Sequence, residues 1–337
     1  MARVEELLRE TRETIGIFET RLLLALAMHV RVERLVAHPE EEVTPEAETA
    51  FRGYAARRLA GEPYPYIAGE QEFYGRSFRV TPDVLIPRPD TELIVELALE
   101  ELKRFRRPTV LDMGTGSGCI AITVALENPK AEVWASDMSE AALEVARGNA
   151  GKSGVRFLQG SWYKALPPDA PKFDLILSNP PYIDPESPYL SDLTYEPQTA
   201  LVSGNHGMDD LREIAEGAAA HLAPGGCLMV EHGFDQGEAC RKVFTEAGLS
   251  DAETLKDLGG NDRVTRGRLR RYLKEPDEKK GASRDAPYFL PDKRKKPQIF
   301  RSAAFGIRGG RGRNRTVDTR IFNPLLYRLS YPTTHRS

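Results

Sequence analysis

The chain has 337 residues, 40% of them hydrophobic and 29% charged, which is room for two or three compact units with sizeable cores. No apolar tract is long enough to span a bilayer, and the first dozen residues mix acidic and basic side chains without the apolar stretch of a secretory signal. Cys119, Cys227 and Cys240 are too few and too scattered for a disulfide framework or a metal knuckle, so a reducing cytoplasm is the expected location. The net charge of −3 is unevenly spread: residues 273–337 hold 16 Lys or Arg against 6 Asp or Glu, and the remainder holds 31 against 44. An acidic body argues against a groove that tracks nucleic-acid phosphates.

The first 70 residues read as helices. Leu22, Leu23, Leu26, Val30 and Leu35 recur near helical spacing, and Thr44-Pro45 places a hydroxyl cap before a proline at the first helical position. A second amphipathic pattern runs from Glu46 to Ala60, and together these predict a small helical bundle. From Gly69 to Val84 the pattern turns short and aromatic around Gly75, as in a hairpin joining two domains, and a helix is expected from Asp90. Beyond Pro108, short apolar runs alternate with helical stretches, which predicts a doubly wound, Rossmann-like α/β domain with a parallel sheet covered on both faces. The predicted strands are Thr109–Asp112, Glu132–Ser136, Val155–Gln159, Asp174–Ser178 and Cys227–Glu231. The helices lie near Cys119–Glu127, Ser139–Ala150, Met208–His221 and Asp235–Ala247. The expected division is 1–72 helical, 73–95 hairpin linker, 96–272 α/β domain and 273–337 a disordered basic tail. In that tail the periodicity collapses into charge runs and a Gly- and Arg-rich stretch.

Two constellations carry chemistry. Asp112-Met113-Gly114-Thr115-Gly116-Ser117-Gly118 sits between a strand and a helix, where glycines let the backbone approach a ligand and a helix amino terminus offers unpaired N–H groups. Asp137, ending the next strand, is placed to accept the hydroxyls of a ribose. The third glycine, Gly118, comes one residue early for a dinucleotide fingerprint, which argues against NAD. The second constellation, Ser178-Asn179-Pro180-Pro181-Tyr182, leaves another strand. Its prolines fix two backbone angles and remove two donors, so the Asn179 side-chain carbonyl and the Pro180 backbone carbonyl form a stiff acceptor pair beside the flat face of Tyr182. That array suits a planar group bearing an NH₂. No His, Cys, Asp or Glu cluster has metal-ligand spacing, so no metal is expected, and Ser117 lacks the surroundings of a nucleophile elbow.

These motifs carry a resemblance. Asp112 followed by Gly-x-Gly-x-Gly resembles the first motif of class I S-adenosylmethionine-dependent methyltransferases, and Asn-Pro-Pro-Tyr resembles those that act on amide or exocyclic amine nitrogens. Gly69–Gly75, Leu85–Glu92, Tyr195–Leu201, Glu231-His232-Gly233 and Asn261–Val264 look like the peptide chain release factor glutamine methyltransferases, the HemK or PrmC family, over about residues 5–269. The resemblance implies that Gly114, Thr115, Gly116, Ser117 and Gly118 line the methionine part of S-adenosylmethionine, that Asp137 holds its ribose, and that Trp162 packs near its adenine. Asn179, also beside the cofactor, would join Pro180, Pro181 and Tyr182 in binding the glutamine of a Gly-Gly-Gln tip on class I release factors and in catalysing its methylation. Phe73, Arg88 and Glu92 are expected as pocket or hinge residues. The expected mechanism is direct transfer, with the two carbonyls polarising the amide and no formal general base.

Two other acceptors share the catalytic motif: a glutamine of a ribosomal protein, and an adenine amine of nucleic acid. The second needs a basic surface and a means of flipping the base, which the acidic body does not offer. Residues 312–327 resemble a stretch recurring on unrelated conceptual translations, so the tail is read as an artefactual or nonfunctional extension, against the competing reading of an RNA-binding arm. No membrane partner and no nucleic-acid contact by the body are expected.

Overall fold

The computed structural model describes residues 2–271; the basic tail expected at 273–337 lies outside the described residues. Five helices open the chain: α1 (Val4–Thr11), α2 (Ile17–Met28), α3 (Val32–Ala37), α4 (Pro45–Leu59) and α5 (Tyr64–Ala68). Thr44 caps α4, its Oγ1 accepting from Ala47 N at 3.2 Å, with Pro45 at the first position. Val4, Leu7, Leu23, Leu24, Leu35 and Phe51 close a core of their own, as the bundle reading expected.

A hairpin of β1 (Glu70–Phe73) and β2 (Arg76–Arg79) leads to a single 3₁₀ turn, Pro89–Thr91, and α6 (Glu92–Leu102). The boundaries expected at 72 and 95 therefore fall inside β1 and inside α6. Glu92 Oε1 accepts from Tyr74 N at 2.8 Å and ties the hairpin to that helix. Phe73, expected near the pocket or hinge, is only 1% exposed and stands edge-on to Phe78 in the sheet core. Its aromatic neighbour on β2, Phe78, shares that core.

The α/β unit follows as β3 (Thr109–Met113), α7 (Cys119–Glu127), β4 (Glu132–Asp137), α8 (Glu140–Ala150), β5 (Arg156–Gln159), β6 (Phe173–Ser178), a short turn α9 (Gly204–Gly207), α10 (Asp209–His221), β7 (Leu222–Glu231), α11 (Gly237–Glu246), β8 (Leu249–Lys256) and β9 (Asp262–Leu269). Strand order is β5-β4-β3-β6-β7-β9-β8. The first five strands run parallel, as expected. The sheet as a whole is mixed, however, because β9 pairs antiparallel with both β7 and β8. Neither β8 nor β9 was expected. Their sequences carry charges where an apolar run would announce a strand, and those charges are met across the fold, Arg266 by Glu253 at 2.6 Å and Arg268 by Glu101 at 2.5 Å.

Alternating residues fill the two faces. Val110, Leu175, Cys227 and Met229 pack under α6 and α7. Leu111, Ile176, Leu228 and Val230 pack under α10 and α11. Among the described residues no helix is long and apolar enough to cross a membrane, and no group of three or more His, Cys, Asp or Glu could hold a metal ion.

Candidate active site

Both motifs leave the sheet from neighbouring strand ends. β3 and β6 pair with Met113 opposite Ser178, so Gly114 and Asn179 are the next residues on adjacent strands, and Ser178 Oγ donates to the Met113 carbonyl at 2.8 Å. The chain order reverses here, with β4 and β5 on one side of β3 and β6 on the other, which is where an open α/β sheet forms a crevice.

Below the glycine loop lies Asp112, fully buried. Its Oδ2 accepts from Thr115 Oγ1 at 2.7 Å and from Ala121 N at 3.2 Å, which lashes the loop to the first turn of α7. Its Oδ1 has no hydrogen-bond partner among the described residues, and burial pushes the carboxyl up to about 7. Asp137 accepts Gly116 N and Ser139 N, each at 2.9 Å and each on a different oxygen. A carboxylate oxygen has two acceptor sites, so one bond apiece leaves room for ligand hydroxyls. Burial raises the Asp137 carboxyl above its ordinary range. The Trp162 ring lies against the loop: a Cβ built on Gly114 would stand 3.3 Å from Trp162 Cζ3.

These groups border a cavity of ≈350 Å³, lined by Gly114, Thr115, Gly116, Ser117, Asp137, Trp162, Asn179 and Pro181. Gly118 is not in the lining. It stands at the amino-terminal cap of α7 at φ 82°, where a Cβ would meet Ile122 Cδ1 at 2.7 Å, so close packing accounts for this glycine.

A second cavity, of ≈700 Å³, opens on the other side of the Asn-Pro-Pro-Tyr segment. Pro180, Tyr182, Glu231 and Arg263 line it, whereas Pro181 lines the smaller cavity. Asn179, Leu85, Arg88 and Ala200 border both. The two prolines thus turn the segment into a partition.

Two groups, Thr91 and behind it Glu231, orient Asn179. Its Nδ2 donates to Thr91 Oγ1 at 3.2 Å, and the Thr91 hydroxyl in turn hydrogen-bonds the Glu231 carboxyl. Thr91 is 2% exposed and Glu231 1%. With the NH₂ end of the amide turned to Thr91, its oxygen is the end left for a ligand. Burial pushes the Glu231 carboxyl up to about 7, against the opposing pull of Arg263, and its Oε2 has no hydrogen-bond partner among the described residues. Tyr182 is half-buried, its phenol pushed up to about 12 by burial and secondarily by Glu231. The Tyr182 carbonyl is fixed by Gln236, whose Nε2 donates to it and to the His206 carbonyl at 3.0 Å each.

Arg88 forms an ion pair with Glu196, whose other oxygen accepts from Ile86 N at 3.1 Å. The neighbouring Tyr195 donates its hydroxyl to the Ala60 carbonyl at 2.9 Å, and Tyr66 donates to the Val84 carbonyl at 2.7 Å. The helical unit is thereby joined to the segments that border both cavities. Thr91, Glu196, Glu231 and Arg263 were flagged in the sequence only as parts of resembling segments. Nothing local announces their roles, because each acts on a partner from a distant stretch.

Comparison with known proteins agrees with this arrangement. Residues 91–193 match the family described as Methyltransferase small domain, and residues 1–69 match the PrmC N-terminal domain. A release factor glutamine methyltransferase of Bordetella pertussis is 52% identical over 239 residues, covering 70% of this chain and 88% of that protein. The chain belongs to the release factor glutamine methyltransferase family. Other members are the proteins of that name from Neisseria gonorrhoeae, 48% identical over 76% of this chain and 94% of its own length, and from Burkholderia pseudomallei, 44% identical over 80% and 96%. The family's N-terminal domain ends at Gly69, one residue before β1, so the helical unit and the hairpin part company at a glycine in the left-handed conformation, φ 77°.

Proposed function

We infer that this chain is an S-adenosylmethionine-dependent methyltransferase acting on the side-chain amide nitrogen of a protein glutamine, the one in the Gly-Gly-Gln tip of class I peptide chain release factors. The observation that carries this reading is the shared partition: a donor in the ≈350 Å³ cavity and an acceptor in the ≈700 Å³ cavity would meet at Asn179. Membership of the release factor glutamine methyltransferase family favours the same substrate.

The residues present fit the donor. Gly116 leaves open space where a side chain would stand, Asp137 keeps acceptor capacity for ribose hydroxyls, and the Trp162 ring offers a flat apolar wall. When bound, S-adenosylmethionine supplies a methyl group on a positively charged sulfur. The acceptor side must supply orientation and electrostatics, because resonance makes an amide nitrogen a poor nucleophile. The Asn179 Oδ1 and Pro180 carbonyls would accept the two N–H groups and Tyr182 would cover the amide plane, aiming the nitrogen toward the other cavity. Preorganised acceptors stabilise positive charge as it develops on that nitrogen, and fixed orientation is worth several kcal/mol in a displacement between two bound reactants.

Recognition of the release factor by the helical unit is part of this proposal. The deciding experiment is mass analysis of a class I release factor incubated with the protein and S-adenosylmethionine, beside a variant factor with alanine at the Gly-Gly-Gln glutamine. One added methyl on that glutamine, absent from the variant, is expected. Transfer to a ribosomal protein or to adenine instead, with the release factor unmodified, would overturn the substrate.

A further inference from the structure

Glu231 is a buried carboxyl whose one task so far is to hold the Thr91 hydroxyl. It ends β7 with one oxygen in a hydrogen bond from Thr91, while Oε2 has no hydrogen-bond partner among the described residues and the residue borders the larger cavity beside Asn179, Pro180 and Tyr182. An unpaired carboxylate oxygen costs free energy wherever it is buried, and here it stands next to the place where the proposed reaction creates positive charge. The other carboxyls of that cavity are differently placed. Asp90 lies by the Arg263 guanidinium at 3.5 Å, Asp184 lies by His206 at the rim, and Asp235 is exposed to solvent.

Resting on the proposed amide methylation, we propose that Glu231 is the proton acceptor of the reaction, with Oε2 receiving a proton from the glutamine nitrogen. The nitrogen lone pair forms the N–C bond to the methyl group as the S–C bond breaks, its electron pair staying on sulfur. The nitrogen then carries two protons, a methyl group and a positive charge. The nitrogen is now tetrahedral, so one N–H turns away from the carbonyl that accepted it in the planar amide; that bond breaks, its electrons restore the neutral amide, and the proton passes to Oε2, from which Glu231 returns it to water through the mouth of the larger cavity. Thr91 serves both partners, holding the other carboxylate oxygen with its hydroxyl proton and Asn179 with its lone pair. This differs from the expectation of transfer with no general base.

The surroundings suit a group that exchanges a proton near neutrality. Burial raises the carboxyl and Asp90 on the linker raises it further, whereas Arg263 on β9, Thr91 and Arg88 oppose them; Tyr182, beyond the end of β6, and Cys119, at the start of α7, face the same carboxyl. The balance lies at about 7.

Glu231→Gln tests the role, because glutamine keeps the shape and an acceptor for Thr91 but cannot take a proton. General-base removal typically costs about 10²–10⁴-fold, so E231Q is expected to lower kcat by at least about 100-fold with KM for the release factor changed less than about 3-fold. For the wild type, kcat should rise with pH and level off above about 7, a limb absent from the residual activity of E231Q. A protonated-carboxyl infrared band should appear in the wild type as pH falls through the same range and be missing from E231Q. An E231Q kcat within about 3-fold of wild type, or a wild-type kcat flat between about pH 5.5 and 8.5, would overturn the assignment. The wild-type profile decides alone if E231Q does not fold. Wild type that methylates the release factor while E231Q matches it removes only this inference; wild type that leaves the factor unmodified removes the function as well.

Discussion

Asn179 Nδ2 donates to Thr91 Oγ1 at 3.2 Å, and this bond decides which end of the amide faces the cavities. An asparagine side chain is nearly symmetric in shape and opposite in polarity at its two ends, so an unanchored Asn179 would present a donor as readily as an acceptor. Thr91→Val removes the anchor while keeping the branched shape. Turnover is expected to fall about 10-fold, the effect of losing one oriented hydrogen bond at about 1.4 kcal/mol, with Thr91→Ser recovering most of it. Asn179→Ala removes the acceptor itself and should cost about 10²–10³-fold in kcat while leaving donor binding measurable by calorimetry. Equal activity of T91V and wild type would leave the anchor without function.

Much of this was legible in the sequence, and the boundary between what was and was not follows the range of the physics. The glycine loop and the Asn-Pro-Pro-Tyr partition announce themselves because backbone constraint is local: prolines and glycines act on their own angles. The five parallel strands announce themselves because both their faces are apolar. β9 does not, since Arg263, Arg266 and Arg268 find their carboxylates on Asp257, Glu253 and Glu101, a pairing visible only once the strands are side by side. Glu231 is hidden for the same reason: its two neighbours, Thr91 and Arg263, come from either end of the α/β unit.

Gly207 packs against the backbone of the Asn-Pro-Pro-Tyr segment. At φ 78° it already favours glycine, and a Cβ there would stand 1.9 Å from the Tyr182 carbonyl oxygen, which Gln236 holds in place. Gly207→Ala must displace that backbone. A loss of about 2 kcal/mol, seen as a melting point lower by about 4–8 °C, is expected together with a fall in turnover. Gly260→Ala is the control: it shares a positive φ, 85°, but nothing lies within 4 Å of its Cβ, so only the smaller conformational cost should appear and turnover should stand. Similar turnover in the two variants would separate Gly207 from the site.

Arg88, which borders both cavities, is ion-paired to Glu196, and Glu196 is 4% exposed. Removing one member of a buried pair leaves the other charge uncompensated and typically costs about 3–5 kcal/mol. Glu196→Ala should therefore lower the melting point and also weaken binding of the donor and of the release factor, since Arg88 borders both sites. Replacing both residues by alanine should cost less than the two single changes added together. Additive losses in that double-mutant cycle would mean that the pair is not a coupled unit.

The same burial that suits Glu231 to its proposed role makes it a pH-dependent burden on the fold. Its carboxyl ionises at about 7 in the folded protein against 4.5 as the ordinary value. Below that ordinary value both folded and unfolded chains hold the proton, and the contribution to stability is intact. As pH rises, the unfolded chain releases its proton first, so stability is lost progressively until the folded carboxyl has also ionised, above about 7. The loss is of the order of 3 kcal/mol at one pKa unit per 1.36 kcal/mol. Glu231→Gln carries no such charge, so at about pH 8 it should melt above the wild type, and the difference should narrow toward about pH 5. Asp112, raised to about 7 by burial, pulls the wild type in the same direction and is common to both proteins, so the difference between them reports Glu231. A melting-point difference that does not change with pH would place the Glu231 carboxyl near its ordinary value.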